Sequence, residues 1–319
     1  MDSNHTKLKP GISVVVPVYR SDECLPALIE ALGTVLPTLA DSYECILVND
    51  GSPDNSRAVM HELSGEHTWI RPVNLLRNYG QHNALLCGIR QARYEILVTM
   101  DDDLQHPPEE MAKLIARLEE GHDVVYGPPE KEQHSLFRNL ASRITKLALQ
   151  GVMGAETAHQ SSAFRVFRTR LRRAFVDYQS PNVSIDVLLT WSTTRFSAVP
   201  VRHEERAFGS SGYTVRKLIS HALNMMTGFS TLPLRLANVI GFCMILFGIG
   251  VFTHVMYLKI RYETSVPGFA FLSIIISVFA GAQLLSLGII GEYLARIHLR
   301  MTDRPTYVVD SDDDANEDT

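Results

Sequence analysis

The chain has 319 residues and a formal net charge of −5; hydrophobic residues make up 45% of it and charged residues 20%. That length accommodates one large α/β domain plus something smaller. Part of the acidity is concentrated after residue 310, in a polar stretch that cannot bury a core, so the charge balance gives no footing for nucleic acid as a partner.

Four cysteines, Cys24, Cys45, Cys87 and Cys243, show neither disulfide nor metal-ligand spacing, which suits reduced thiols in a cytoplasmic domain. Residues 1–11 are polar, and no cleaved signal peptide is expected. Residues 12–18 form a β-branched run, a buried strand by length and composition, and a helical pattern follows over 23–39. The spacing then predicts a strand over 43–49, a helix over 55–64, a strand over 70–75, a helix over 80–93 and a strand over 96–101. This βαβ rhythm predicts an α/β, Rossmann-like and mostly parallel sheet with helices on both faces. In such folds ligands bind beyond the carboxyl ends of the strands. The polar clusters fall there: Pro17 to Tyr19, Asn49 to Ser52, Arg77-Asn78, and Asp101 to Asp103.

Pro107 and Pro108 open a further helix to about 120, because proline is tolerated in a first helical turn. A strand over 124–127, a basic amphipathic helix over 136–152 and a short strand over 164–167 come next. Residues 169–200 read as helical and then as a strand ending near 201. The pattern over 213–229 is helical, with Arg216 and Lys217 at its start; it fits a helix on a membrane surface and a buried domain helix alike.

Two uncharged segments follow, at about 236–258 and 266–291, and about 20 apolar residues suffice to cross the hydrocarbon core. The link between them is short, so they are expected to form an antiparallel transmembrane hairpin, with Gly281, Gly288 and Gly291 allowing close helix contact. Arg216, Lys217 and Arg235 precede the hairpin and Arg296, Arg300 and Arg304 follow it, whereas the link carries Lys259 and Arg261. The positive-inside rule then puts both the large domain and the tail in the cytoplasm. The expected organisation is a cytoplasmic domain over 1–230 with an interfacial helix near 213–230, a membrane hairpin over 231–300, and an acidic disordered tail over 301–319.

Asp101-Asp102-Asp103 is the sharpest local signal. At a strand end, residues two apart point the same way, so Asp101 and Asp103 can converge on one ligand. Such oxygen donors suit Mg²⁺ or Mn²⁺ shared with substrate phosphates; the alternative is an acidic strand end that faces water or caps the next helix. Asp50 could accept hydrogen bonds from a base or ribose, while Gly51 permits the turn. Arg77 could hold a phosphate bidentately or pair with a structural carboxylate.

Val16 to Tyr19, Val48 to Ser52, Arg77 to His82 and Asp101 to Pro108 occur together in an order and spacing that resembles the inverting GT-A glycosyltransferases, the family that includes dolichol-phosphate mannose synthase and bacterial polyprenyl-phosphate glycosyltransferases. Arg77–His82, Ser135–Arg138 and His203–Gly209 most resemble its branch that transfers 4-deoxy-4-formamido-L-arabinose to undecaprenyl phosphate. The resemblance implies a GT-A domain followed by the membrane hairpin, a nucleotide-sugar donor (a UDP-sugar for preference), a polyprenyl phosphate acceptor, a place in the inner membrane, and a homo-oligomer, a tetramer in the family. By the same resemblance Pro17, Tyr19 and Asp50 hold the nucleoside. Asp101 and Asp103 bind the metal–diphosphate unit, Arg77, Asp102 and Gln105 complete the donor site, and Arg206 meets the acceptor phosphate or the donor diphosphate. A surface salt bridge is the other reading of Arg206.

Three positions depart from the family pattern. Arg20-Ser21 stand where Asn-Glu is frequent. Ser211-Gly212-Tyr213 lacks a lysine that could hold phosphate, for which Arg202, Arg216 or Lys217 could substitute. Ala163 occupies a position where some relatives carry a carboxylate proposed as a base. The implied chemistry tolerates that last loss, because a lipid phosphate is already anionic and attacks without giving up a proton. The rival readings are a transferase with a different lipid, protein or polysaccharide acceptor, and a non-catalytic membrane scaffold that binds sugar nucleotides.

Overall fold

The structure is a computed structural model that describes residues 9–130, 161–180, 183–204, 232–262, 268–302 and 304–310. The chain opens with β1 (Lys9–Val18), α1 (Leu25–Leu39), β2 (Tyr43–Asn49), α2 (Ser56–Glu66), β3 (Ile70–Asn74), α3 (Gln81–Gln91) and β4 (Tyr94–Thr99). A 3-10 turn (Pro108–Glu110) leads into α4 (Met111–Glu119) and β5 (Val124–Tyr126). Beyond the undescribed stretch come β6 (Arg165–Arg168), a 3-10 segment (Thr169–Ala174), α5 (Ile185–Thr190) and β7 (Phe196–Ala198).

The sheet order is β3-β2-β1-β4-β6-β5-β7. β1 pairs in parallel with β2 on one side and β4 on the other, and β2 pairs in parallel with β3. A strand so placed has no face to give to water, and Val14, Val15, Val16 and Val18 are all fully buried. Val14, Val16 and Val18 join a core cluster with α1 and α4, whereas Val15 joins a second cluster with α3 and α5. Helix α1 meets the first cluster with Leu25, Leu28, Ile29, Leu32 and Leu36, the stripe a 3.6-residue period places on one face. The chain order reverses between β1 and β4, which opens a crevice at the carboxyl ends of those two strands.

The mostly parallel sheet expected from the sequence is present, with β6 the exception: it runs antiparallel to both β4 and β5. β4 ends at Thr99 and not at Asp101, so the three aspartates lie on the loop beyond the strand and strand alternation does not govern them. The expected helices over 136–152 and 213–229 lie outside the described residues.

Helices α6 (Leu232–Tyr262) and α7 (Gly268–Met301) are long and apolar enough to cross a membrane, their most apolar stretches being Leu234–Leu258 and Val278–Leu299. They pack on each other while presenting Phe242, Phe247, Phe252, Leu284 and Leu287 outward. Apolar exposure on that scale marks an interaction surface, and together with the length of the two helices it makes them a candidate membrane hairpin. The expectation for the glycines needs correcting. Gly281, Gly288 and Gly291 face open space, and it is Gly248 whose missing Cβ leaves room for the Phe279 ring, at 3.1 Å. A second correction concerns the tail: residues 304–310 are not detached but return to the sheet, where Val309 pairs antiparallel with Leu75.

Gly88 marks the tightest helix–sheet approach, because a Cβ there would collide with Val15 Cγ1 and press on Val48 Cγ2. Gly88→Val is therefore expected to lower stability by about 1–3 kcal/mol through overpacking, read from denaturant unfolding followed by tryptophan fluorescence.

Candidate active site

The crevice at the β1–β4 reversal holds a cavity of about 270 Å³ lined by Pro17, Val18, Tyr19, Asp50, Asn78, Gly80, Gln81, Asp101, Asp102 and Asp103. Three strand exits build it: β1 delivers Pro17 to Tyr19, β2 delivers Asp50, and β4 delivers the aspartate run. The loop between β3 and α3 supplies the remaining wall. Among the described residues, four of those lining the cavity are carboxylates and none is a lysine, arginine or histidine.

Each carboxylate has a different local environment. Asp50 is buried, and its two oxygens accept the backbone N–H groups of Tyr79 at 2.7 Å and Gly80 at 2.8 Å. Burial pushes its carboxyl above the ordinary range, and those two bonds only partly offset this. Asp50 therefore fastens the β3–α3 loop to the end of β2. Gly51 beside it has φ +62°, and a Cβ there would lie 2.6 Å from Asn78 N, so the two loops touch backbone to backbone.

Asp102 accepts the Ser21 hydroxyl and, at 3.4 Å, the Tyr19 N–H; burial raises its carboxyl as well. It holds the loop that carries Tyr19. Asp101 accepts Gln81 Nε2 at 2.6 Å, and Asp103 accepts the Gln105 N–H at 3.2 Å. Two residues beside the cavity have left-handed backbones, Arg20 (φ 59°) after Tyr19 and Leu104 (φ 57°) after Asp103. Such strain costs about 1–3 kcal/mol at each position and concentrates at functional sites.

The residues singled out from sequence do not all meet here. Pro17, Tyr19, Asp50, Asp101, Asp102 and Asp103 line the cavity together. Arg77 flanks it, exposed, with its guanidinium over the Tyr79 ring at 4.6 Å. Gln105 is joined to the site through its backbone, which also accepts the Glu204 N–H at 2.9 Å. Arg202 ion-pairs with buried Glu110 at 2.8 Å instead of opening onto the cavity. Burial works to raise the Glu110 carboxyl, but bonds from Lys113 and Arg202 outweigh it and hold it low. Arg206 and Arg216 lie outside the described residues. At Ala163 it is the backbone carbonyl that is used: it accepts Thr99 Oγ1 at 2.9 Å, and Arg165, which contacts both groups, ion-pairs with Asp186.

Sequence reasoning gave no site role to Ser21, Gly80 and Gln81, and placed Asn78 at this edge only as part of a polar cluster. The available signal was topological: all four sit just past a strand exit, on the edge of the sheet where ligands bind. Among the described residues no group of three or more His, Cys, Asp and Glu side chains is disposed to hold a metal alone.

Residues 13–179, just over half of the chain, match the glycosyl transferase family 2 domain. The chain is 35% identical over 310 residues to undecaprenyl-phosphate 4-deoxy-4-formamido-L-arabinose transferase from Yersinia enterocolitica, covering 96% of this chain and 94% of that one. The structure of glucosyl-3-phosphoglycerate synthase from Mycobacterium tuberculosis with Mn²⁺, UDP and phosphoglyceric acid superposes with a TM-score of 0.53 at 16% identity, covering 68% of this chain and 76% of that chain. A further structure of the same enzyme gives 0.52 at 18% identity, covering 68% and 78%. At those identities the likeness bears on the fold, which is of the GT-A type. The chain belongs to glycosyl transferase family 2, and it is a glycosyltransferase, as the resemblance noted in its sequence implied.

His106 lies behind the aspartate loop, stacked on Phe164 at 5.3 Å and edge-on to His203 at 5.0 Å. Burial, reinforced by His203, pushes its pKa from 6.5 down to about 4. The unfolded chain therefore binds more protons between those values, so stability rises with pH across the window and is lost as pH falls from 6.5 towards 4. His106→Phe keeps the ring stack and is expected to flatten that part of the stability–pH profile, removing about 3 kcal/mol of pH dependence at the full shift. Chemical denaturation at a series of pH values measures it.

Proposed function

We propose that this chain transfers a sugar from a UDP-sugar to a polyprenyl phosphate, with undecaprenyl phosphate the preferred acceptor, inverting the anomeric configuration. The observation that carries the reading is the set of four aspartates lining the cavity at the strand reversal where this class of sheet receives nucleotides. Aspartates alone repel a diphosphate. Paired hard oxygen donors fit Mg²⁺ or Mn²⁺, with Asp101 and Asp103 as the protein ligands and the donor phosphates completing the shell. The bound ion would neutralise the charge that builds on the departing diphosphate.

The chain's own residues would do the positioning. Asp50 fixes the loop that contributes Asn78 and Gly80 to the wall, and Asp102 with Ser21 fixes Tyr19, so the nucleoside enters a cleft whose sides are already set. An oxygen of the lipid phosphate bonds to the anomeric carbon from the face opposite the diphosphate. The bond from that carbon to the diphosphate oxygen breaks, and UDP leaves with the electron pair. The attacking oxygen carries no proton, so the absence of a carboxylate at Ala163 costs the reaction nothing. Arg206, with Arg216, is assigned to the acceptor phosphate. The two long apolar helices support delivery of a lipid-bound acceptor at the inner membrane, with the catalytic domain cytoplasmic. The family likeness supports a homo-oligomer.

Detergent-solubilised enzyme with Mn²⁺ and a panel of UDP- and GDP-sugars tests the reaction. Nucleoside diphosphate release is expected only with undecaprenyl phosphate present and is expected to fall by about 10²- to 10³-fold or more in Asp103→Ala, the scale seen when one charge-stabilising group is removed. Nucleotide binding without release from any donor would replace the transferase reading by a binding-only scaffold. Orientation is checked in a cysteine-free background. Ser265→Cys is expected to react with a membrane-impermeant maleimide from outside the cell membrane, and Thr302→Cys only after permeabilisation.

A further inference from the structure

The segment that follows the second long helix does not leave the domain. Helix α7 ends at Met301, and from residue 304 the chain runs along the exit of β3. There Val308 O accepts the Leu76 N–H at 3.0 Å, the Asp310 N–H donates to Asn74 O at 2.8 Å, and Val309 forms an antiparallel bridge with Leu75. Asp310 also ion-pairs with Arg57 of α2 at 3.0 Å.

Its other end grips α3. Thr306 is buried and Tyr307 packs against the cluster that contains Leu75, Leu85 and Cys87. Arg90 donates to the Tyr307 hydroxyl at 3.2 Å and to Thr306 Oγ1 at 3.4 Å. The same guanidinium donates to Tyr178 O at 2.6 Å, which ties the strap to the body of the domain.

Between these two grips lie the β3–α3 loop and most of α3, since Arg90 stands in the last turn of that helix. Asn78 and Gly80 line the cavity, Asp50 holds the N–H groups of Tyr79 and Gly80, and Gln81 at the start of α3 bonds Asp101. We infer that residues 304–310 are a positioning strap for the donor cleft: by pinning the start of this loop and the helix that follows it they set the cleft wall, and they couple it to the end of the second apolar helix. Tyr307 is the side chain on which this turns. The inference rests on the reading of the cleft as a nucleotide-sugar site, and it makes donor affinity depend on a segment that touches no part of the cavity.

The test uses the full-length enzyme in lipid nanodiscs, with Tyr307→Ala, Tyr307→Phe and a chain stopped after Thr302. Tyr307→Ala and the shortened chain are expected to raise the donor KM about tenfold through loss of the Tyr307 packing, with kcat and the acceptor KM within about threefold of wild type. Tyr307→Phe keeps the packing and is expected to recover most of the affinity, and a synthetic peptide of residues 304–310 is expected to restore the shortened chain in part. Amide exchange at 77–80, read with no nucleotide present, is expected to quicken in Tyr307→Ala. An unchanged donor KM with unchanged exchange overturns the inference. So does a loss confined to kcat, or one that merely tracks a lower melting temperature. Quickened exchange in an enzyme whose wild type binds no UDP-sugar overturns the nucleotide reading of the cleft and leaves the strap's hold on the loop standing.

Discussion

Like charges crowded at the mouth of one sheet are the constraint around which this domain is arranged. Asp50, Asp101, Asp102 and Asp103 share a small cavity, and carboxylates so close resist being ionised together. Among the described residues the fold answers with hydrogen-bond donors. Backbone N–H groups serve Asp50, the Ser21 hydroxyl serves Asp102, the Gln81 amide serves Asp101 and the Gln105 N–H serves Asp103. These donors settle the position of each carboxylate before a ligand or ion arrives, which favours binding with little reorganisation.

The same bonds explain why loops and not regular elements form the walls. β1 and β4 must separate at their carboxyl ends for a crevice to exist, so beyond Val15 and Thr99 the two strands lose each other as ladder partners. Asp102 reaches across that gap to Tyr19 and Ser21, and Asp50 braces the end of β2 to the loop after β3. The strained backbones at Arg20 and Leu104 are held by this cross-bracing; the Arg20 N–H, for example, is taken by Ser52 Oγ at 3.2 Å.

The sheet was readable from sequence because β-branched runs and helical stripes alternate cleanly from Ile12 to Thr99, and burial on both sides leaves β1 no second register. The cavity-lining aspartates were readable for the same reason, since a polar cluster just past a buried strand has one edge of the sheet to occupy. What pattern could not resolve was the work of each one. Asp50, expected to contact a nucleoside, also holds two backbone N–H groups with its oxygens. Arg202, expected as one of three cations able to hold a phosphate, also ion-pairs with Glu110. Such assignments depend on which loops meet across the sheet, and periodicity carries no information on contacts between distant loops. The antiparallel β6 and the return of residues 304–310 escaped for a related reason: each is too short to impose a period of its own.

The antiparallel course of β6 has a consequence for how the two halves of the sheet are joined. β5 points toward the cavity edge and β6 starts from that edge, with Val125 opposite Val166, so Tyr126 leaves and Arg165 enters at one rim and the pair closes without a crossover. The parallel β3-β2-β1-β4 half has no such freedom: every step in it, β1 to β2, β2 to β3 and β3 to β4, is made through a helix that returns the chain to the opposite edge.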